Sequence, residues 1–120
     1  MDEKVVKKIL SQELKSKGVF FYNTRDQYKA GLPDVYICGK GGRSIWVELK
    51  CKRKPDTLSH PLTKLQSSFL KDINEAGGLG LMVVWVDKDK WCVKNINQIE
   101  EVNRLDWEKT IDTETLLGLF

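Results

Sequence analysis

Asp34, Glu48 and Lys50 are two acids and a base at a spacing that one β-hairpin can close. Val35 to Cys38 and Ser44 to Leu49 are rich in β-branched and aromatic residues, and between them lies Gly39-Lys40-Gly41-Gly42, a turn sequence. Side chains alternate along a strand, so Glu48 and Lys50 share one face while Val47 and Leu49 share the other. Asp34 stands where the first strand begins, behind Pro33, a residue that suits a strand's first position. Closing the hairpin brings Asp34 beside Glu48, with an ammonium two residues further on. Two carboxylates are costly to desolvate together unless positive charge sits between them. A divalent cation such as Mg²⁺, held by one or two carboxylates, waters and a substrate phosphate, is the chemistry that suits them. Glu-x-Lys alone describes many solvated strand faces; the Pro-Asp placed a hairpin's length upstream favours the catalytic reading.

The elements that must position these groups follow from periodicity. Residues 3–17 read as an amphipathic helix with an apolar stripe of Val5, Val6, Ile9, Leu10 and Leu14, ended by Gly18. Glu3 and Glu13 border that stripe, and either could lend a third carboxylate. Glu3 equally suits a helix's first turn, and Glu13 equally pairs with Lys17 at i+4. Val19 to Asn23 is expected as a strand. The polar loop from Thr24 to Ala30 carries Arg25, Tyr28 and Lys29, which could meet phosphates and stack on a base, or could form a basic loop and no more. After the hairpin, Lys50-Cys51-Lys52-Arg53-Lys54 places four cations in five residues, fitting phosphate positioning or a solvated exit loop.

A second helix is expected to open at Pro61, with Ser59 or His60 near its cap. Its stripe is Leu62, Leu65, Phe69, Leu70, Ile73 and Ala76, and Gly77-Gly78 ends it. Gln66 falls at the edge of the sheet-facing side, where it needs partners: the carboxylates, a metal-bound water or a phosphate. His60, the only histidine, is read as a helix-start residue because nothing pairs it with a nucleophile. Leu79 to Val86 is nearly all apolar, as a strand covered on both faces would be. A short strand from Trp91 to Val93, a third helix over 96–105 and an apolar tail with exposed-looking leucines complete the chain. That tail, Leu116-Leu117-Gly118-Leu119-Phe120, either tucks onto the core or serves self-association.

Composition limits the class. The chain of 120 residues, 41% hydrophobic and 31% charged, fits one globular domain with a modest core. No apolar run approaches membrane-spanning length, and no signal-peptide pattern opens the chain. Cys38, Cys51 and Cys92 are odd in number and lack metal-ligand spacing, which suits a reducing, cytoplasmic setting. Net charge is +3, but residues 1–75 hold 15 Lys/Arg against 9 Asp/Glu while residues 76–120 hold 5 against 8. The basic half contains the Asp34/Glu48/Lys50 group, which points towards a polyanionic partner or describes an ordinary solvated surface.

Gly31-Leu32-Pro33-Asp34, then Val47-Glu48-Leu49-Lys50, then a downstream helix carrying Gln66, together resemble the VRR-NUC nuclease domain of the PD-(D/E)xK superfamily. The likeness is to its compact stand-alone members of phage and bacterial genomes, and it covers roughly residues 1–86. It implies an α/β fold with a restriction-endonuclease-like αβββαβ core, a mixed sheet flanked by helices, in a single domain whose residues from about 87 to 120 form a C-terminal extension. It implies that Asp34 and Glu48 bind Mg²⁺ (or Mn²⁺) with the Leu49 backbone carbonyl, that Lys50 orients or activates the attacking water, and that Gln66 completes the site. The family often adds a first-helix acid, and Glu3 matches its position better than Glu13. Gln66 lies farther from Ser59 than the Leu-Ser-x-x-Gln spacing the resemblance suggests.

The implied activity is metal-dependent DNA endonuclease chemistry on branched or junction DNA. Arg25, Tyr28, Lys29, Lys52, Arg53 and Lys54 are its expected DNA contacts. A single domain offers one site and a small basic surface, so a homodimer or larger even-numbered assembly is expected, with the apolar tail and the stretch from Trp85 to Trp91 as interface material. Two rivals stand beside this reading: a nucleic-acid-binding module with the same fold and no chemistry, and a small interaction protein whose hairpin carries its charges by chance.

Overall fold

The computed structural model describes residues 3–24, 31–51, 62–95 and 110–120, with the side chain of Glu3 outside that description. Its elements are α1 (Glu3–Ser16), β1 (Phe20–Asn23), β2 (Val35–Cys38), β3 (Ser44–Cys51), α2 (Lys64–Glu75), β4 (Leu79–Asp87), β5 (Lys90–Asn95) and α3 (Thr113–Gly118). The strands form one mixed sheet in the order β1-β2-β3-β4-β5. Only β3 and β4 are parallel, and α2 makes the crossover between them. The α/β reading and the αβββαβ order therefore hold, and β5 extends the sheet by one antiparallel strand. The expected third helix over 96–105 lies outside the described residues.

Alternation along β3 divides the molecule into two layers. Ile45, Val47, Leu49 and Cys51 join Val6, Leu10 and Leu14 of α1 in the larger core. Trp46, on the opposite face, packs with Leu62, Leu70, Met82, Val84 and Cys92 beneath α2. Gly80 sets the depth of α2: a Cβ there would stand 2.5 Å from the Leu70 carbonyl oxygen. The Asn74 side chain then reaches back to both backbone groups of Gly80, accepting from its N–H (2.9 Å) and donating to its oxygen (3.0 Å).

Several boundaries and faces differ from expectation. The stripe of α1 is narrower, Val6, Leu10 and Leu14, with Val5 and Ile9 partly exposed. Helix α2 begins at Lys64 rather than Pro61, because Thr63 is the cap: its hydroxyl accepts from the Gln66 N–H while the Gln66 side chain accepts from the Thr63 N–H. Leu65 is 59% exposed and so does not belong to the buried stripe. Most of the apolar tail is not exposed: Leu116, Leu117 and Phe120 lie in the larger core, and Leu119 faces out. A backbone bridge between Trp91 and Ile111, and a bond from the Trp91 indole to the Thr113 hydroxyl (2.9 Å), hold α3 against β5.

Candidate active site

Glu48 occupies β3 where β2 has just begun across from it. The hairpin register pairs Val35 with Val47, so Asp34 and Glu48 stand opposite each other. Each carboxylate accepts a backbone N–H from the other strand: Asp34 Oδ2 from Leu49 (2.9 Å) and Glu48 Oε2 from Asp34 (3.3 Å). Thr24, at the end of β1, fixes the same backbone, its N–H bonded to the Asp34 oxygen at 2.9 Å and its hydroxyl 2.6 Å from the Pro33 oxygen. Gly31 is required twice over. Its φ is +89°, and a Cβ would meet Leu65 Cβ at 2.8 Å. The Gly31-Leu32-Pro33-Asp34 segment thereby sits directly on the first turn of α2, which brings Gln66 to the strand pair.

The capping box also aims Gln66. Its Oε1 is held by the Thr63 N–H at 2.9 Å, so its Nε2 donates to Glu48 Oε1 at 3.0 Å. Lys50 Nζ lies 3.8 Å from that same Glu48 oxygen, and Lys7 of α1 reaches Asp34 Oδ1 at 3.6 Å. Glu48 is only 3% exposed. Burial, and next the charge of Asp34, raise its carboxyl to about 8 from an ordinary 4.5, against the opposing pull of Lys50.

Structure thus brings together Asp34, Glu48, Lys50, Leu49 and Gln66. Arg25, Tyr28, Lys29, Lys52, Arg53 and Lys54 lie outside the described residues, as does the side chain of Glu3. Lys7 is the addition that sequence reading missed. It follows Val6 on the helix, where the resemblance implies an acid rather than a base. With it come Lys4, Lys8 and Lys15, which with Lys7 line a groove of about 960 Å³ running between α1 and β1 to Asp34. Their i, i+4 spacing across 4–8 was the available signal.

The donor set fits a hard divalent cation. Both carboxylates are oxygen ligands, and neither Lys50 nor Lys7 touches both. In extended backbone the N–H and C=O of one residue point to the same side, so the Leu49 carbonyl leaves β3 towards Asp34 as its N–H does. Among the described residues no cluster of three or more acidic, His or Cys side chains could hold a metal. Of the described groups, the Leu49 carbonyl is the further oxygen placed to complete the protein's share.

The fold has a known counterpart. A Holliday junction resolvase, Hjc of the archaeal hyperthermophile Archaeoglobus fulgidus, superposes with a TM-score of 0.60 over 95% of this chain and 89% of its own. The two share a fold. Sequence identity is 18%, so the likeness establishes architecture alone. No protein-family model and no curated protein sequence matches the chain. Among the described residues no helix is long and apolar enough to cross a membrane.

Proposed function

We propose that the chain is a metal-dependent DNA endonuclease of the VRR-NUC kind, acting on branched or junction DNA with Mg²⁺, or with Mn²⁺ in its place. The observation that carries this is the Asp34–Glu48 pair, two carboxylates tied to each other's strands, one of them buried and held protonated to about pH 8. Such a pair gains most from a cation that lets both ionise. Bound there, Mg²⁺ would supply Lewis acidity and an acidified water for phosphodiester hydrolysis.

The chain's own groups divide the remaining work. Gln66 fixes the rotation of the Glu48 carboxyl, its amide locked from behind by the Thr63 backbone. Lys50, whose ammonium lies beside the Glu48 oxygen, orients the attacking water and offsets charge developing on the phosphate. Lys7 and its neighbours on α1 hold the phosphates of the strand entering along the groove. The shared fold with a Holliday junction resolvase supports the choice of junction DNA as substrate class.

A panel of labelled duplex, flap, splayed-arm and four-way-junction DNA, incubated with Mg²⁺ or Mn²⁺, tests the proposal. Metal-dependent cleavage, fastest on a branched member, is expected. Binding without cleavage in either metal would leave a binding module of the same fold in its place.

A further inference from the structure

A row of aromatic residues crosses the sheet on the face that Glu48 and Gln66 occupy. Tyr22 of β1 pairs with Tyr36 of β2, and Tyr36 pairs with Trp46 of β3. The Tyr36 and Trp46 rings are 4.8 Å apart between centroids, and Trp46 meets Phe69 of α2 edge-on at 6.1 Å. Helix α2 packs on β4 and, less closely, on β3. Tyr22 is 57% exposed and Phe20 56%. Surface aromatics gathered this way mark a binding site more often than chance.

Between these rings lies a hollow of about 410 Å³, lined by Tyr22, Tyr36 and Trp46 with Thr24 and Leu32. Tyr22, Thr24 and Leu32 also line the lysine groove, so the two spaces share a wall at the strand end that carries Asp34. Tyr36 is two residues on from Asp34, and Trp46 two residues before Glu48, a separation of about 7 Å along each strand. Cationic groove, carboxylate pair and aromatic hollow are therefore consecutive. Resting on the nuclease reading, we propose that the hollow receives one unpaired nucleobase of the strand whose phosphate lies at Asp34 and Glu48. Tyr22, Tyr36 and Trp46 are then specificity residues for DNA whose bases are splayed at the cleavage point. Lysines along the backbone with rings for the base is the combination by which single strands are held.

Binding to a short oligothymidylate and to an abasic deoxyribose-phosphate of the same length, measured without metal, isolates the base. Wild-type protein is expected to prefer the oligothymidylate by about tenfold or more. In Tyr36→Leu, which keeps an apolar contact for Trp46, and in Tyr22→Ala, at an exposed position, that ratio should fall towards one. A wild-type ratio near one, or a ratio unchanged in both folded variants, overturns the inference. So does a change of solution mass in Tyr22→Ala, which would give the aromatic face to a second copy of the chain. Cleavage with Mg²⁺ is read separately. Base preference without cleavage supports the hollow and removes the nuclease, whereas cleavage without base preference removes the hollow alone.

Discussion

Glu48 is the residue where burial and chemistry conflict most. Its carboxyl titrates at about 8, so the folded chain binds that proton more tightly than the unfolded chain, whose value is near 4.5. The stability this contributes is complete below about pH 4.5 and is lost as pH rises to about 8. In metal-free protein, the melting temperature of wild type relative to Glu48→Gln is expected to fall across that window and then level off. A constant difference from pH 4.5 to 8 would contradict the burial argument. Substitutions around it should separate by role. Asp34→Ala and Lys50→Ala are expected to abolish cleavage in folded protein. Gln66→Ala should reduce it less, since it removes hydrogen bonds worth about 0.5–1.5 kcal/mol each. Unfolding of Gln66→Ala, seen by circular dichroism, would make Gln66 a core residue instead. Glu48, Lys50 and Gln66 were legible in sequence because each lies on a regular element whose period fixes its face, and Asp34 because it stands one residue before β2 in the same hairpin register. Lys7 was not, because a lysine on a lysine-rich helix looks like any solvated charge until a carboxylate is seen opposite it.

At the scale of elements, the hairpin was readable because β-branched runs and a glycine turn agree with each other. The start of α2 was not. Pro61 is a good first-turn residue, and it drew the boundary forward from Thr63, although Leu62-Thr63-Lys64-Leu65-Gln66 contains the capping box outright. With Thr63 in the place of Ser59, Leu62-Thr63-Lys64-Leu65-Gln66 has the Leu-Ser-x-x-Gln spacing in a threonine form. The tail misled for a different reason. Composition shows that Leu116, Leu117 and Phe120 are apolar, but where they go is set by contacts made only in the fold: the Trp91–Ile111 bridge, the Trp91–Thr113 bond and the Lys40 N–H bonded to the Phe120 oxygen. Gly31 joins the hairpin to α2, and a pair of substitutions tests that link. Gly41 also has a positive φ (78°) but has nothing within 4 Å of an added Cβ. Gly41→Ala should cost only backbone strain, about 1–2 kcal/mol. Gly31→Ala should cost more, because Leu65 must also move, and should slow cleavage by shifting the Gly31-to-Asp34 segment away from the first turn of α2, which holds Gln66 against Glu48. Thermal melts and cleavage rates that rank the two equally would detach the Gly31 segment from the site.

For the whole molecule, the sheet supplies two faces with separate tasks: the α1 face holds the larger core and the lysine groove, and the α2 face holds Gln66 and the aromatic row. One copy carries one such site, while a four-way junction has two-fold symmetry, so a symmetric dimer is the assembly expected to act on it. Burial of Leu116, Leu117 and Phe120 withdraws most of the tail from that interface, and burial of Trp91 withdraws one end of the Trp85–Trp91 stretch, while Leu119, Leu65 and the part-exposed Val5 and Ile9 of α1 remain as apolar surface. Light scattering at low micromolar concentration should give twice the 13.8 kDa chain mass. A monomer that cuts at full rate would remove the dimer from the mechanism. The central claim, that Asp34 and Glu48 act together through a divalent cation on DNA, is tested most directly by cutting one labelled four-way junction across a Mg²⁺ titration with wild type and with Glu48→Gln. Glu48→Gln keeps the shape and the contact to Gln66 but removes the charge. Saturable cleavage by wild type, abolished by chelation, with none by folded Glu48→Gln at any Mg²⁺ concentration, is expected. Cleavage by Glu48→Gln at the wild-type rate and the wild-type Mg²⁺ midpoint would contradict it.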